Sequence, residues 1–178
     1  GIKAIDLVLD RLAALGCAAA LVNLGGNLAV TGRVDERPWR IGVRDPFGSG
    51  VVATLDTAGR EAVVTSGSYE RHRVADGRRV THIIDPERAA PAADVISVTV
   101  VHPSAGHADA AATALLVAGR SRWQQVARRP GVAPADGLQE AGECRRLGGA
   151  VLEQHPGDGA GRTDATDLGL RAGRCREE

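Results

Sequence analysis

The sequence predicts an α+β domain of mixed or antiparallel sheets with flanking helices. Short β-branched or apolar runs recur between residues 18 and 101, separated by Gly, Pro, Asp and Asn. Helical periodicity is confined to the first 15 residues and to the stretch after residue 104. Strands and helices do not alternate, which argues against a parallel sheet built from βαβ units.

Each element has its own signal. Ile5, Val8, Leu9, Leu12 and Leu15 fall on one helical face, and Gly16 supplies the stop. Ala18–Asn23 reads as a buried strand, Gly25-Gly26 as a break, and Leu28–Thr31 as the resumed strand. Arg40–Val43 is a short strand halted by Asp45-Pro46, and Val51–Leu55 and Ala62–Ser66 follow around a Thr57-Ala58-Gly59 turn. The segment Thr65–Arg71 reads as a polar hairpin with Tyr69 packed over it. Arg79–Ile84 reads as one strand and Asp85–Ala93 as a loop. In Val95–Val101, Val95, Ser97, Thr99 and Val101 share one face, and Ile96, Val98 and Val100 share the other. Ser104 is placed to cap a helix over about 107–117, and Gly119 separates it from a shorter helix over 121–129. From about Pro134 apolar periodicity fades, so residues 1–130 are expected to form the domain and 131–178 a poorly packed, low-complexity tail.

Bulk properties exclude several classes. Net charge is zero, which removes the electrostatic case for nucleic acid or an anionic membrane surface. No apolar run approaches the ~18 residues of a membrane-spanning helix, and the opening segment is amphipathic rather than a secretory leader. Cys17, Cys144 and Cys175 fit neither a disulfide framework nor a zinc site. With aromatics at 2%, the core must be built from Ala, Val, Leu and Ile. The chain lacks methionine even at position 1, which points to a fragment or processed product missing an upstream half.

Four segments carry candidate chemistry. Asp109 and Thr113 lie four apart in an Ala-rich helix, so their oxygens share a face one turn apart. Two hard oxygens suit Mg²⁺, which takes one or two protein ligands and completes its shell with water and phosphate. The bland alternative is an acidic residue favoured by the helix dipole and a threonine bonded to its own backbone. His82 stands beside Asp85-Pro86, where a strand opens into a turn; its imidazole can take a proton from a hydroxyl nucleophile, or simply be a satisfied structural histidine. His72, His102, His107 and His155 have no comparable setting and are expected at the surface. In Asn23-Leu24-Gly25-Gly26-Asn27, the glycines let the backbone approach a phosphate or a flavin edge, or form an ordinary bend. Thr65-Ser66-Gly67 offers hydroxyls to a phosphate or ribose, or only to its own turn.

In order, these segments resemble the ApbE family of Mg²⁺-dependent FAD:protein FMN transferases. The resemblance runs through Leu21–Asn27, Pro38-Trp39-Arg40-Ile41-Gly42-Val43-Arg44-Asp45-Pro46, Thr65-Ser66-Gly67-Ser68-Tyr69-Glu70-Arg71, His82-Ile83-Ile84-Asp85-Pro86 and Ala108–Thr113. It covers residues 1 to about 130 and implies the C-terminal portion of a T-fold-like domain. It further implies cleavage of the FAD pyrophosphate with Mg²⁺, transfer of FMN to a threonine of a target flavoprotein, and release of AMP. Some members instead, or also, hydrolyse FAD to FMN and AMP. A flavin-binding protein without catalysis stays open as well. By this resemblance His82 activates the acceptor hydroxyl and Asp109 and Thr113 bind the metal. Asn23, Gly25, Gly26, Asn27, Thr65, Ser66, Gly67, Asp85 and Asp6 belong to the FAD site, Asp6 through the family's Lys-Gly-x-Ala-x-Asp helix start. The family's Asp-Pro-x-Thr-Gly-x-Pro is replaced by Asp85-Pro86-Glu87-Arg88-Ala89-Ala90-Pro91, which loses the threonine and the glycine. The resemblance implies a bacterial source and leaves the compartment, envelope or cytoplasm, undecided.

Overall fold

The computed structural model describes residues 2–57, 59–69, 72–75, 78–129 and 151–154. The first helix, α1 (Lys3–Ala14), buries Ile5 and Leu9 and leaves Leu7 and Leu15 exposed. Strands β1 (Ala20–Leu24) and β2 (Asn27–Thr31) form a tight hairpin. Gly25 and Gly26 both have positive φ, +64° and +91°, as a two-residue hairpin loop requires. The Asn23 side chain accepts the Gly26 N–H at 3.0 Å and fixes this loop.

Strands β3 (Arg40–Arg44) and β4 (Val51–Asp56) make a second hairpin, and β5 (Glu61–Gly67) returns to pair with β2. Arg40 and Asp56 face each other across the β3–β4 ladder at 2.8 Å. The hydrogen bond from Arg40 holds the exposed Asp56 carboxyl below the usual carboxylate range. A hairpin of β6 (His72–Ala75) and β7 (Arg78–Thr81) follows, then a short pair, β8 (Ile84–Asp85) with β9 (Ala90–Pro91). Strand β10 (Ser97–His102) pairs with β5, and α2 (Ala105–Ala127) closes the domain. A last strand, β11 (Val151–Gln154), adds to the free edge of β10. The main sheet has the order β1-β2-β5-β10-β11, with every neighbouring pair antiparallel.

Alternation along the strands builds a layered core. Ala29, Ala62, Val64, Val98 and Val100 face the helices and pack with Ile5, Leu9, Ala108, Ala112, Leu115 and Leu116. Val30 and Val63 point to the opposite face, where Ile41, Trp39 and Leu55 of the β3–β4 region cover them. Trp39 is tied down there by its indole N–H, which donates to the Thr31 carbonyl at 3.1 Å.

One expected strand is divided, and one strand appears that was not expected. The run 79–84 is not one strand: the Thr81 hydroxyl accepts the Ile83 N–H at 3.2 Å, which turns the chain out of the ladder at His82. His72–Ala75 forms a strand that its composition, with one β-branched residue, does not announce. The poorly packed tail expected from residue 131 lies outside the described residues except at Val151–Gln154, where the unpaired backbone of the β10 edge supplies hydrogen-bond partners. Cys144, Cys175 and His155 also lie outside the described residues, and Cys17 is exposed.

The break expected at Gly119 is present. Its φ of 63° and ψ of −177° interrupt α2, and a Cβ there would meet Asp94 Oδ2 at 2.8 Å. Only glycine tolerates that backbone region readily. Gly119→Ala should therefore lower unfolding free energy by about 2 kcal/mol or more, measured by urea denaturation.

Candidate active site

A cavity of about 210 Å³ lies on the face of the main sheet opposite α2. Its floor is Leu28, Val63, Thr65 and Gly67, and its rim includes Asn23, Gly25, Gly26 and Asn27 of the first hairpin. The β3 segment Ile41–Arg44 and Tyr69 complete it. Six of the residues expected at the ligand thus come together: Asn23, Gly25, Gly26, Asn27, Thr65 and Gly67. The Thr65 hydroxyl is steadied by that of Thr99 across the ladder at 2.8 Å. The Tyr69 ring lies against Gly67, where a Cβ would come within 2.6 Å of its Cε1.

The wall formed by β3 and Tyr69 was not assigned from sequence. Its residues lay in matched segments, but which hairpin folds over which sheet face is a tertiary fact. The alternation of Ile41 and Val43 was the only local signal of a buried face.

Three residues expected at the flavin do not line this cavity. Ser66 alternates to the opposite face of β5, is buried beneath α2, and lies 3.0 Å from the Thr113 hydroxyl. Asp85 is 3% exposed; its Oδ1 accepts the N–H groups of Glu87 at 2.9 Å and Arg88 at 3.3 Å. Its Oδ2 lies 3.7 Å from Arg88 and 3.5 Å from Arg122 of α2, and Arg122 also pairs with Glu87. A buried carboxylate with two cations and two N–H donors organises the turn. Arg88 folds back onto this cluster and reaches Asp94 at 3.5 Å.

Asp6 likewise caps a helix. Its carboxylate accepts the N–H groups of Ala105 at 3.0 Å and Gly106 at 3.3 Å and the Ser104 hydroxyl at 3.1 Å. These are donors that the first turn of α2 leaves without intrahelical partners. Ser104 is the N-cap, as expected, and accepts the His107 N–H.

His102, expected at the surface, is half-buried beside this cap. The Ser104 N–H lies 2.9 Å from its Nδ1, a bond that needs this nitrogen unprotonated; the Ser104 carbonyl, at 3.2 Å, serves the protonated form. Burial pushes the imidazole below its ordinary value; the Ser104 contact opposes this, the neighbouring His107 reinforces it, and Asp6 opposes it. The two rings lie 5.2 Å apart, and His107 is exposed.

His82 is exposed at the bend between β7 and β8, and neither it, Asp109 nor Thr113 lines the cavity. Asp109 is half-buried in the second turn of α2, and its carboxylate has no hydrogen bond or ion pair among the described residues. Thr113 is exposed one turn on, with its hydroxyl held by Ser66. An unengaged carboxylate and an oriented hydroxyl on one helix face fit a hard cation that draws its remaining ligands from water and phosphate. No cluster of three or more His, Cys, Asp or Glu suited to a metal occurs among the described residues.

The sequence profile of the ApbE family matches residues 3–135. The chain belongs to the ApbE family. It is 45% identical over 129 residues to the FAD:protein FMN transferase of Rhodobacter capsulatus, covering 72% of this chain and 25% of that protein. The Salmonella typhimurium FAD:protein FMN transferase is 39% identical over 132 residues, covering 70% of this chain and 37% of its own length. Among solved structures, the ApbE protein of Thermotoga maritima superposes with a TM-score of 0.71 at 32% identity, covering 88% of this chain and 46% of that one. The apo flavinyl transferase ApbE of Pseudomonas stutzeri gives 0.63 at 33% identity, covering 85% and 42%. The chain therefore spans less than half the length of each of these relatives.

Two outcomes are expected at this site. Ala89 has a φ of +48° where the family's loop carries glycine. Ala89→Gly should stabilise the protein by roughly 0.5–1 kcal/mol, the left-handed penalty less the added freedom of the unfolded chain, read from the denaturation midpoint. Because His102 is held below the ordinary value of about 6.5, the unfolded chain takes up its proton first as pH falls. Its contribution to stability is full above that value and is lost as pH falls through the lower folded one. In His102→Gln, the fall in melting temperature between pH 7.5 and 5 should be smaller.

Proposed function

We propose that this ApbE-family chain carries the flavin wall and metal ligands of an FAD:protein FMN transferase. The observation that carries this reading is the pairing of the cavity edged by Asn23–Asn27, Thr65 and Gly67 with the Asp109–Thr113 pair, through one strand, β5. At about 210 Å³ the cavity is smaller than the ~300–1,000 Å³ of a typical small-molecule pocket, so it takes part of a dinucleotide rather than the whole.

In this reading the glycine hairpin turn and Thr65 hold one portion of FAD against the sheet. Asp109 and Thr113 hold Mg²⁺, which when bound neutralises charge developing on the pyrophosphate oxygens. His82, exposed where an acceptor can reach it, takes the proton of the attacking threonine hydroxyl. The products are a phosphoester of FMN on the acceptor flavoprotein and free AMP. A binding-only role is the second reading, supported by Arg88 and Ala89 standing where the family's loop has threonine and glycine.

The test incubates the intact protein that carries this chain with FAD, Mg²⁺ and a threonine-bearing acceptor domain, and follows covalent flavin on the acceptor by mass. Labelled acceptor with AMP release is the expected result. Free FMN and AMP without labelling would indicate a pyrophosphatase, and retained FAD without turnover would indicate the binding role. Asp109→Ala should lower Mg²⁺-dependent turnover by at least about 100-fold while FAD affinity changes little.

A further inference from the structure

The Ser66 hydroxyl is turned away from the cavity that its neighbours Thr65 and Gly67 line. We propose that Ser66 is a positioning residue for the cation: it takes the proton of the Thr113 hydroxyl and so presents that oxygen's lone pairs outward. This rests on the reading of Asp109 and Thr113 as metal ligands.

A hydroxyl carries one proton and two lone pairs. Inside a helix, a threonine ordinarily donates its proton to the carbonyl four residues earlier, here that of Asp109. Ser66 Oγ, 3.0 Å away, offers a competing acceptor. It is fixed in place, buried under α2 on a strand whose ladder sets it opposite Val98. Without a cation either hydroxyl can donate. A cation at Thr113 selects one order, because a proton between the oxygen and the metal is repelled. Thr113 then donates to Ser66 and its lone pairs face the exposed side, the side shared with Asp109. Three consecutive residues thereby fix both halves of the site, Thr65 and Gly67 the cavity and Ser66 the metal ligand.

The test titrates Mn²⁺, as a paramagnetic stand-in for Mg²⁺, into the intact protein and reads free Mn²⁺ by electron paramagnetic resonance. Ser66→Ala should raise the Mn²⁺ Kd about 10-fold, with FAD affinity measured without metal unchanged. Ser66→Cys, which keeps the volume and weakens the acceptor, should follow it. In a Thr113→Ala background, Ser66→Ala should cost nothing more, since Ser66 acts through that hydroxyl; a packing role would give additive losses. Wild-type affinity in Ser66→Ala while Asp109→Ala has lost the ion, or additivity in the double variant, would overturn the proposal alone. Undiminished Mn²⁺ binding by Asp109→Ala would overturn the metal reading and this proposal with it.

Discussion

The organisation of this domain depends on the two faces of β5. Because side chains alternate along a strand, Ala62, Val64 and Ser66 are committed to the helices while Val63, Thr65 and Gly67 are committed to the other side. A register slip of one residue would bury Thr65 under α2 and send Val64 into the cavity. The slip is resisted from both neighbours, since Leu28–Val30 of β2 and Ser97–His102 of β10 each pair with β5 and carry their own alternation. Apolar burial on both faces thus fixes, at the strand's last three residues, which of them line the cavity and which meets the helix.

Helix α2 must be placed with equal care, because it carries Asp109 and Thr113. Its start is held by a carboxylate nearly a hundred residues distant, Asp6, which ties α1 to α2 through backbone donors rather than through packing alone. Arg60, 2.7 Å from Asp10 and 4.0 Å from Asp6, joins the loop before β5 to α1. Further along, Asp85 and Arg122 fasten the β8–β9 turn to α2 beyond the Gly119 break. The helix is therefore pinned on both sides of its kink, which fixes the turns that bear Asp109 and Thr113 against the core through Ala108, Ala112, Leu115 and Leu116.

Much of this was legible in the residues. Apolar alternation located β1, β2, β5 and β10, the helical stripe and Gly16 located α1, and Ser104 and Gly119 marked the start and the break of α2. The four-residue spacing of Asp109 and Thr113 put them on one face without any tertiary information. What could not be read was partnership. Asp6, Ser66 and Asp85 are polar residues in matched segments, and sequence alone gave no means to tell a carboxylate that caps a helix from one that meets a ligand. For Ser66 the signal existed: if Thr65 faces the cavity, its neighbour in a strand cannot. For Asp6 it did not, because its partners are the Ser104 hydroxyl and the backbone N–H groups of Ala105 and Gly106, and a serine-capped helix start elsewhere would have offered the same donors.

The same distinction separates the polar groups of the site by what they can still do. Asp6 and Asp85 are engaged by N–H donors and cations of the chain itself, which gives each a structural role. Asp109 has no hydrogen bond or ion pair among the described residues, so its carboxylate keeps the capacity that the proposed cation would use. Thr65 keeps a lone pair beyond its bond to Thr99, and the hairpin loop presents its backbone to the same space. Unspent hydrogen-bonding and charge capacity therefore lies on the two faces of one strand end. In the proposed reading a dinucleotide would set one end in the cavity and bring its pyrophosphate toward Asp109 and Thr113.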